Sequence, residues 1–309
     1  MNPLRGVLPI IPIPFDENES IDETSFRRTV EFVASRKLGG LCLPAYGSEF
    51  YKLTEAEREW VIATAIEVNR GRIPVIAQAN HGSAKVAAQL ARRYEALGAD
   101  VISFALPRQF TVTDADLLRC AGRIAESVSL PILIQDFNPG GRTIGGEFIA
   151  TLHRQHPNFL YAKLEEPLIV DKLLAIRDSV GQSVMIFEGW GGYYMLEGLT
   201  VDNCAGIMPG VPIADLLDRV YQTHRRGDMS RAYELLASLL PFVNFTLQNF
   251  ELFLQVEKRL LVQRGLFQQS MCRSPTLTPS PKVSEYINFL LEQVVTLGRR
   301  EIGAEFVPT

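Results

Sequence analysis

Cysteine, histidine and tryptophan are scarce in this chain of 309 residues, at 4, 4 and 2 copies. Cys42, Cys120, Cys204 and Cys272 lie far apart with no CxxC spacing, a pattern of buried free thiols in a reducing, cytoplasmic setting. His81, His153, His156 and His224 form no HExxH and no other ligand spacing, so no metal site is expected. Long apolar runs are missing as well, which argues against a membrane span. Met1-Asn2-Pro3-Leu4-Arg5 leads into a proline-broken stretch unlike a secretory segment. There is no excess of positive charge. A net charge of −4 disfavours nucleic acid or an anionic membrane as partner. No GxGxxG follows the first apolar run, so the dinucleotide-binding signature is absent.

What is present is length, a hydrophobic fraction of 47% and a steady rhythm. Such a chain can bury a large core. Short apolar runs at 6–11, 40–43, 74–78, 100–105, 131–135, 159–163, 184–187 and 205–208 read as strands. Amphipathic patterns between them predict helices over roughly 23–37, 54–69, 83–98, 114–128, 146–155, 167–180, 191–200 and 211–227. Asp22 stands before the first helix, and Thr54 with Glu57 makes a capping box for the second. Eight βα units in series imply a parallel sheet closed into a TIM (β/α)8 barrel. Past residue 227 the strand signal stops, and 231–250, 251–265 and 283–299 read as helices. The expected organisation is an α/β barrel over 1–227 with a C-terminal helical extension over 228–309.

Lys163 is the most informative single residue. It ends the run Phe159-Leu160-Tyr161-Ala162 and precedes Leu164-Glu165-Glu166-Pro167, where a buried strand gives way to a helical pattern. An amine in a low-dielectric site is costly to keep charged, and a neutral amine is a nucleophile able to condense with a ketone. The plainer alternative is a lysine snorkelling at a strand end. Barrel chemistry sits where strands end. At those positions lie Tyr46-Gly47-Ser48-Glu49, His81, Gln135-Asp136, Glu165, Glu188-Gly189-Trp190 and Met208-Pro209-Gly210, all around one lysine. Residues two apart on an extended segment share a face, so Lys163 and Glu165 can address the same ligand.

These residues resemble the dihydrodipicolinate synthase / N-acetylneuraminate lyase family, Schiff-base aldolases on a TIM barrel with a C-terminal helical extension. The likeness covers nearly the whole chain. It runs through Gly6-Val7-Leu8-Pro9-Ile10-Ile11-Pro12, Gly71-Arg72-Ile73-Pro74-Val75-Ile76-Ala77, Tyr161-Ala162-Lys163 and Cys204-Ala205-Gly206-Ile207-Met208. Lys163 stands where the family carries its Schiff-base lysine. Where the synthases have a Gly-Thr-Thr-Gly-Glu-type loop, this chain has Ala45-Tyr46-Gly47-Ser48-Glu49, and Ile134 occupies the position matched to their relay tyrosine. Ser48-Glu49, His81, Gln135-Asp136, Lys163-Leu164-Glu165 and Glu188-Gly189-Trp190 are similar to the 2-keto-3-deoxy sugar-acid dehydratases, in which a glutamate two residues beyond the lysine is the implied base.

The resemblance implies a lyase that binds a 2-oxo acid covalently through Lys163, with no other cofactor and with Glu165 as base. The activity implied is dehydration or aldol cleavage of a 2-keto-3-deoxy sugar acid. A pyruvate-condensing synthase and an inactive keto-acid-binding barrel are the alternatives. Ser48, Gly47 and nearby amides are expected at the C1 carboxylate, although Ser48 could instead cap the following helix. Arg142, in Asn138-Pro139-Gly140-Gly141-Arg142-Thr143, is expected at the distal end of the substrate, or else in solvent. Gln135, Gly189 and Met208 are further substrate-side candidates. His81 either bonds substrate hydroxyls or braces its own loop. A homo-oligomer, tetramer or dimer, is also implied. Phe242, Phe245, Phe250, Leu252 and Phe253 could serve that contact or an internal core.

Overall fold

The computed structural model describes residues 3–108, 111–138, 141–167 and 169–307, so Met1, Asn2, Pro139, Gly140 and Leu168 of the stretches above lie outside it. Eight parallel strands form one sheet: β1 (Gly6–Val7), β2 (Leu41–Leu43), β3 (Val75–Gln78), β4 (Val101–Ala105), β5 (Ile132–Asp136), β6 (Phe159–Leu164), β7 (Met185–Glu188) and β8 (Cys204–Ile207). The hydrogen-bonded order runs β1-β8-β7-β6-β5-β4-β3-β2. A parallel bridge between Ile10 and Cys42 joins the two ends and makes the sheet a barrel. The first strand is shorter than the apolar run predicts. Pro9 and Pro12 have no N–H to give a ladder, and the pairing continues by single bonds from the Leu8, Ile10 and Ile11 N–H groups and from the Cys42 N–H to the Pro9 carbonyl.

Between the strands run α1 (Glu23–Ser35), α2 (Glu55–Asn69), α3 (Ala84–Leu97), α4 (Asp114–Ala125), α5 (Gly146–Gln155), α6 (Ile169–Val180), α7 (Met195–Gly198) and α8 (Ala214–Arg225). The Asp22 cap and the Thr54/Glu57 capping box form as the sequence predicts. The seventh helix keeps only four residues, whereas 191–200 was expected. Gly191 and Gly192 both take positive φ, at 65° and 89°, and this turn delays the helix to Met195. Three helices follow: α9 (Met229–Thr246), α10 (Phe250–Gln263) and α11 (Pro281–Glu301). Two buried ion pairs bind α10 and its end to the barrel. Arg264 meets Asp215 at the start of α8 at 2.7 Å, and Lys258 meets Glu49 in the loop after β2.

Strand alternation sorts the core into two layers. Odd and even positions separate cleanly on β3 and β5. Val75 and Ala77, with Ile132 and Ile134, pack outward against the helices, whereas Ile76 and Leu133 fill the barrel interior. The interior is closed at its lower end by Leu4 and Leu8, with the Leu4 N–H donating to the Tyr161 hydroxyl at 3.1 Å. At the upper end the inward positions turn polar. Gln78, Gln135 and Lys163 are the next residues on the same inward faces, all at least nine-tenths buried. Among the described residues no helix is long and apolar enough to cross a membrane.

Candidate active site

Lys163 and Glu165 are 6% and 9% exposed, and the Lys163 Nζ lies 3.2 Å from Glu165 Oε1. They come together because both are inward positions, two apart at the end of β6. Gly189, after β7, lies against them, and the absence of a side chain there lets the two strand ends approach. Gln135 at the end of β5 donates from Nε2 to Glu165 Oε1 at 2.6 Å, and Gln78 at the end of β3 donates to Gln135 Oε1, also at 2.6 Å. Burial pushes the Glu165 carboxyl above the ordinary carboxylate range, against the opposing pull of Lys163 and Gln135.

Ile134 is not the residue facing this site. It belongs to the outer, helix-facing layer, and Gln135 occupies the inward position. One residue along a strand exchanges faces, so the place matched to a tyrosine holds an amide with no proton to relay.

The cavity above Lys163 has a volume of about 280 Å³. Gly47, Gln135, Gly189 and Met208 line it as expected, together with Tyr46 and Trp190. Three expected residues do not. The Ser48 hydroxyl is wholly buried, gives its one hydrogen to Ile11 O at 2.6 Å and accepts from the Ala45 N–H at 3.0 Å, so it braces the loop and does not face the cavity. Arg142 is exposed, and among the described residues only its backbone carbonyl is engaged, by Asn138. His81 is exposed too and accepts the Ser83 N–H on Nδ1 at 2.9 Å, stabilising its own loop. A wall formed by Tyr46, Phe137 and Phe250, with ring centroids 5.4–6.2 Å apart, separates His81 from the cavity.

Two carboxylates hold the loops around the site. Glu188 accepts the Trp190 N–H and the Gly192 N–H, each at 2.8 Å, which shapes the turn after β7. Burial nonetheless pushes its carboxyl up to about 7. Glu49, at φ 55° and wholly buried, meets Lys52 at 3.0 Å and Lys258, fixing the turn that carries Tyr46 and Gly47. Asp136 faces outward and holds Arg108 through two bonds of 2.8 and 2.6 Å, apart from Lys163. Among the described residues no cluster of three or more His, Cys, Asp or Glu could hold a metal ion.

The roof of the cavity is missing from the expectations. Thr246, Leu247, Gln248, Asn249, Phe250 and Phe253 cover it from the α9–α10 junction. Of the apolar residues open to a subunit contact or an internal core, Phe250 and Phe253 line the cavity, while Phe242 and Leu252 are buried core. A sequence signal existed in Asn249, whose side chain caps α10 and forces a corner there.

The chain is similar to several known proteins. L-2-keto-3-deoxyarabonate dehydratase of Azospirillum brasilense is 28% identical over 278 residues, covering 88% of each chain. The Escherichia coli (strain K12) protein named "Probable 2-dehydro-3-deoxy-D-pentonate aldolase YjhH" is 24% identical over 296 residues, covering 94% of this chain and 97% of that one. The solved 4-hydroxy-tetrahydrodipicolinate synthase from Methylacidiphilum fumariolicum SolV superimposes with a TM-score of 0.87 at 20% identity, over 96% of this chain and 98% of the other. The model of the dihydrodipicolinate synthetase family matches residues 3–294, and the chain belongs to that family.

Proposed function

We propose that the protein is a lyase that forms a Schiff base through Lys163 and dehydrates a 2-keto-3-deoxy sugar acid, with Glu165 as the proton carrier. The observation that carries this reading is the Lys163–Glu165 pair, 3.2 Å apart and buried under a small cavity. The Lys163 amine attacks the C2 carbonyl, the C2 oxygen leaves as water, and an iminium remains as an electron sink. Glu165 takes a C3 proton, and that electron pair becomes the enamine double bond. The enamine expels the C4 hydroxyl, which leaves as water with the proton that Glu165 returns. Hydrolysis of the unsaturated iminium frees Lys163. For a five-carbon acid, tautomerisation through the C5 hydroxyl then gives a 2,5-dioxo acid.

A carboxyl raised by burial suits a group that must both accept and return a proton near neutrality. The C1 carboxylate is placed at the backbone of Tyr46 and Gly47, Gln135 and Gly189 stand beside the reacting carbons, and Met208 forms the wall. No cofactor beyond the covalent lysine is required. Aldol cleavage to pyruvate uses the same iminium, but breaks C3–C4 after loss of the C4 hydroxyl proton. A homo-oligomer is part of the same reading, supported by the exposed Tyr286 and Phe289 on α11.

The test is borohydride reduction in the presence of pyruvate or a 2-keto-3-deoxy sugar acid, followed by intact mass. Wild type is expected to gain a reduced adduct and Lys163→Ala none. An adduct that persists in Lys163→Ala refutes the assignment. Product identity separates the reactions, since dehydration gives a 2,5-dioxo acid and cleavage releases pyruvate.

A further inference from the structure

Gln78 has no contact with the cavity, yet it ends a buried chain that leads to the proposed base. It is 2% exposed and stands two residues beyond the interior Ile76 on β3. Its Nε2 donates to Gln135 Oε1, Gln135 Nε2 donates to Glu165 Oε1, and its own Oε1 is buried with no partner among the described residues.

The direction of that chain follows from charge. A carboxylate has no hydrogen to give, so Gln135 must present its NH2 to Glu165 and its oxygen to Gln78. Gln78 must then present its NH2 in turn, which strands its oxygen. Once Glu165 has taken a proton, the favoured direction reverses. The new Glu165 O–H donates to Gln135 Oε1, and Gln135 Nε2 donates to Gln78 Oε1. One end of Gln78 lacks a partner in either state, but only the ionised carboxylate makes a charge-assisted bond to Gln135, so the ionised state gains more from the chain.

We propose that Gln78 is a positioning residue: by occupying the Gln135 oxygen it holds the Gln135 NH2 toward Glu165, and so supports the ionised carboxylate more than the protonated one. This rests on the reading of Glu165 as base. The Gln135 contact lowers the Glu165 carboxyl against the upward push of burial. Without Gln78, the Gln135 oxygen would be left buried and unpaired whenever its NH2 faced Glu165, which weakens that contact.

The test is the pH profile of kcat for Gln78→Met, of similar volume, and Gln78→Asn, too short to reach Gln135. In both, the acid limb is expected to move up by about one unit, with about tenfold lower kcat below it, as for loss of a hydrogen bond to a charged group. Pyruvate trapping by borohydride should be retained, since Lys163 is untouched. Gln135→Met should move the limb at least as far. Glu165→Gln separates the two assignments. If it keeps the wild-type acid limb, Glu165 is not the base and both readings fall. If it abolishes the limb while Gln78→Met and Gln78→Asn leave it in place, only the role of Gln78 falls.

Discussion

Replacing Gly189 with alanine is expected to disable the site without unfolding the barrel. An added Cβ would overlap Glu165 Cγ and would lie 2.9 Å from Lys163 Cε and 3.0 Å from Leu164 O. Carbon atoms rest at about 3.5–4.0 Å, so Lys163 must retreat by about 0.6 Å or more, and Glu165 by more still. Gly189 is not among the residues with positive φ, so alanine fits the backbone and the effect is one of space alone. Overpacking of this kind costs about 1–3 kcal/mol of stability. A displacement near 1 Å of the reacting groups costs on the order of 100-fold in rate. Steady-state kinetics on a 2-keto-3-deoxy sugar acid, with thermal melting as the control for folding, measures both. Gly145→Ala, whose added Cβ meets nothing within 4 Å, should leave kcat near wild type. A Gly189→Ala enzyme that keeps kcat within about threefold of wild type would refute the idea that close approach at Gly189 sets the pair.

Lys258→Met removes one side of a pair in which both side chains are wholly buried, leaving Glu49 with Lys52. The expected cost is about 3 kcal/mol, the low end for an orphaned buried charge because Lys52 remains. Thermal melting should fall by roughly 5 °C; a shift under about 1 °C would count against the pair as an anchor. Glu188 makes stability depend on pH in the opposite sense to a salt-bridged carboxylate. Its folded value near 7 lies above the ordinary 4.5. Its contribution is therefore whole below pH 4.5 and is lost as pH rises to 7. The loss is on the order of 3 kcal/mol. Melting scans between those limits should show a steeper fall with pH in wild type than in Glu188→Gln, and equal slopes would refute it.

The βα rhythm was legible because strand and helix periods differ and the caps are local. Thr54, Glu57 and Asp22 need only their neighbours within four residues. Lys163 and Glu165 were legible for a similar reason, since their spacing alone fixes a shared face. Ser48 and Arg142 were not, because residue type says nothing about which partner takes a hydroxyl or which way a loop carries a guanidinium. Ser48 found Ile11, 37 residues away in sequence, and no local pattern announces that bond. Ile134 and Gln135 differ by a single residue of register, which only the strand pairing resolves.

The sequence by itself determined the barrel, the lysine and the glutamate beside it, because periodicity and spacing act over a few residues. Tertiary structure alone decided the rest. It set Gln78 and Gln135 in line behind Glu165, folded the α9–α10 corner over the cavity and committed Ser48 to the backbone. Each of these depends on residues brought together from distant strands, where distance and burial, and not residue type, settle which polar groups meet.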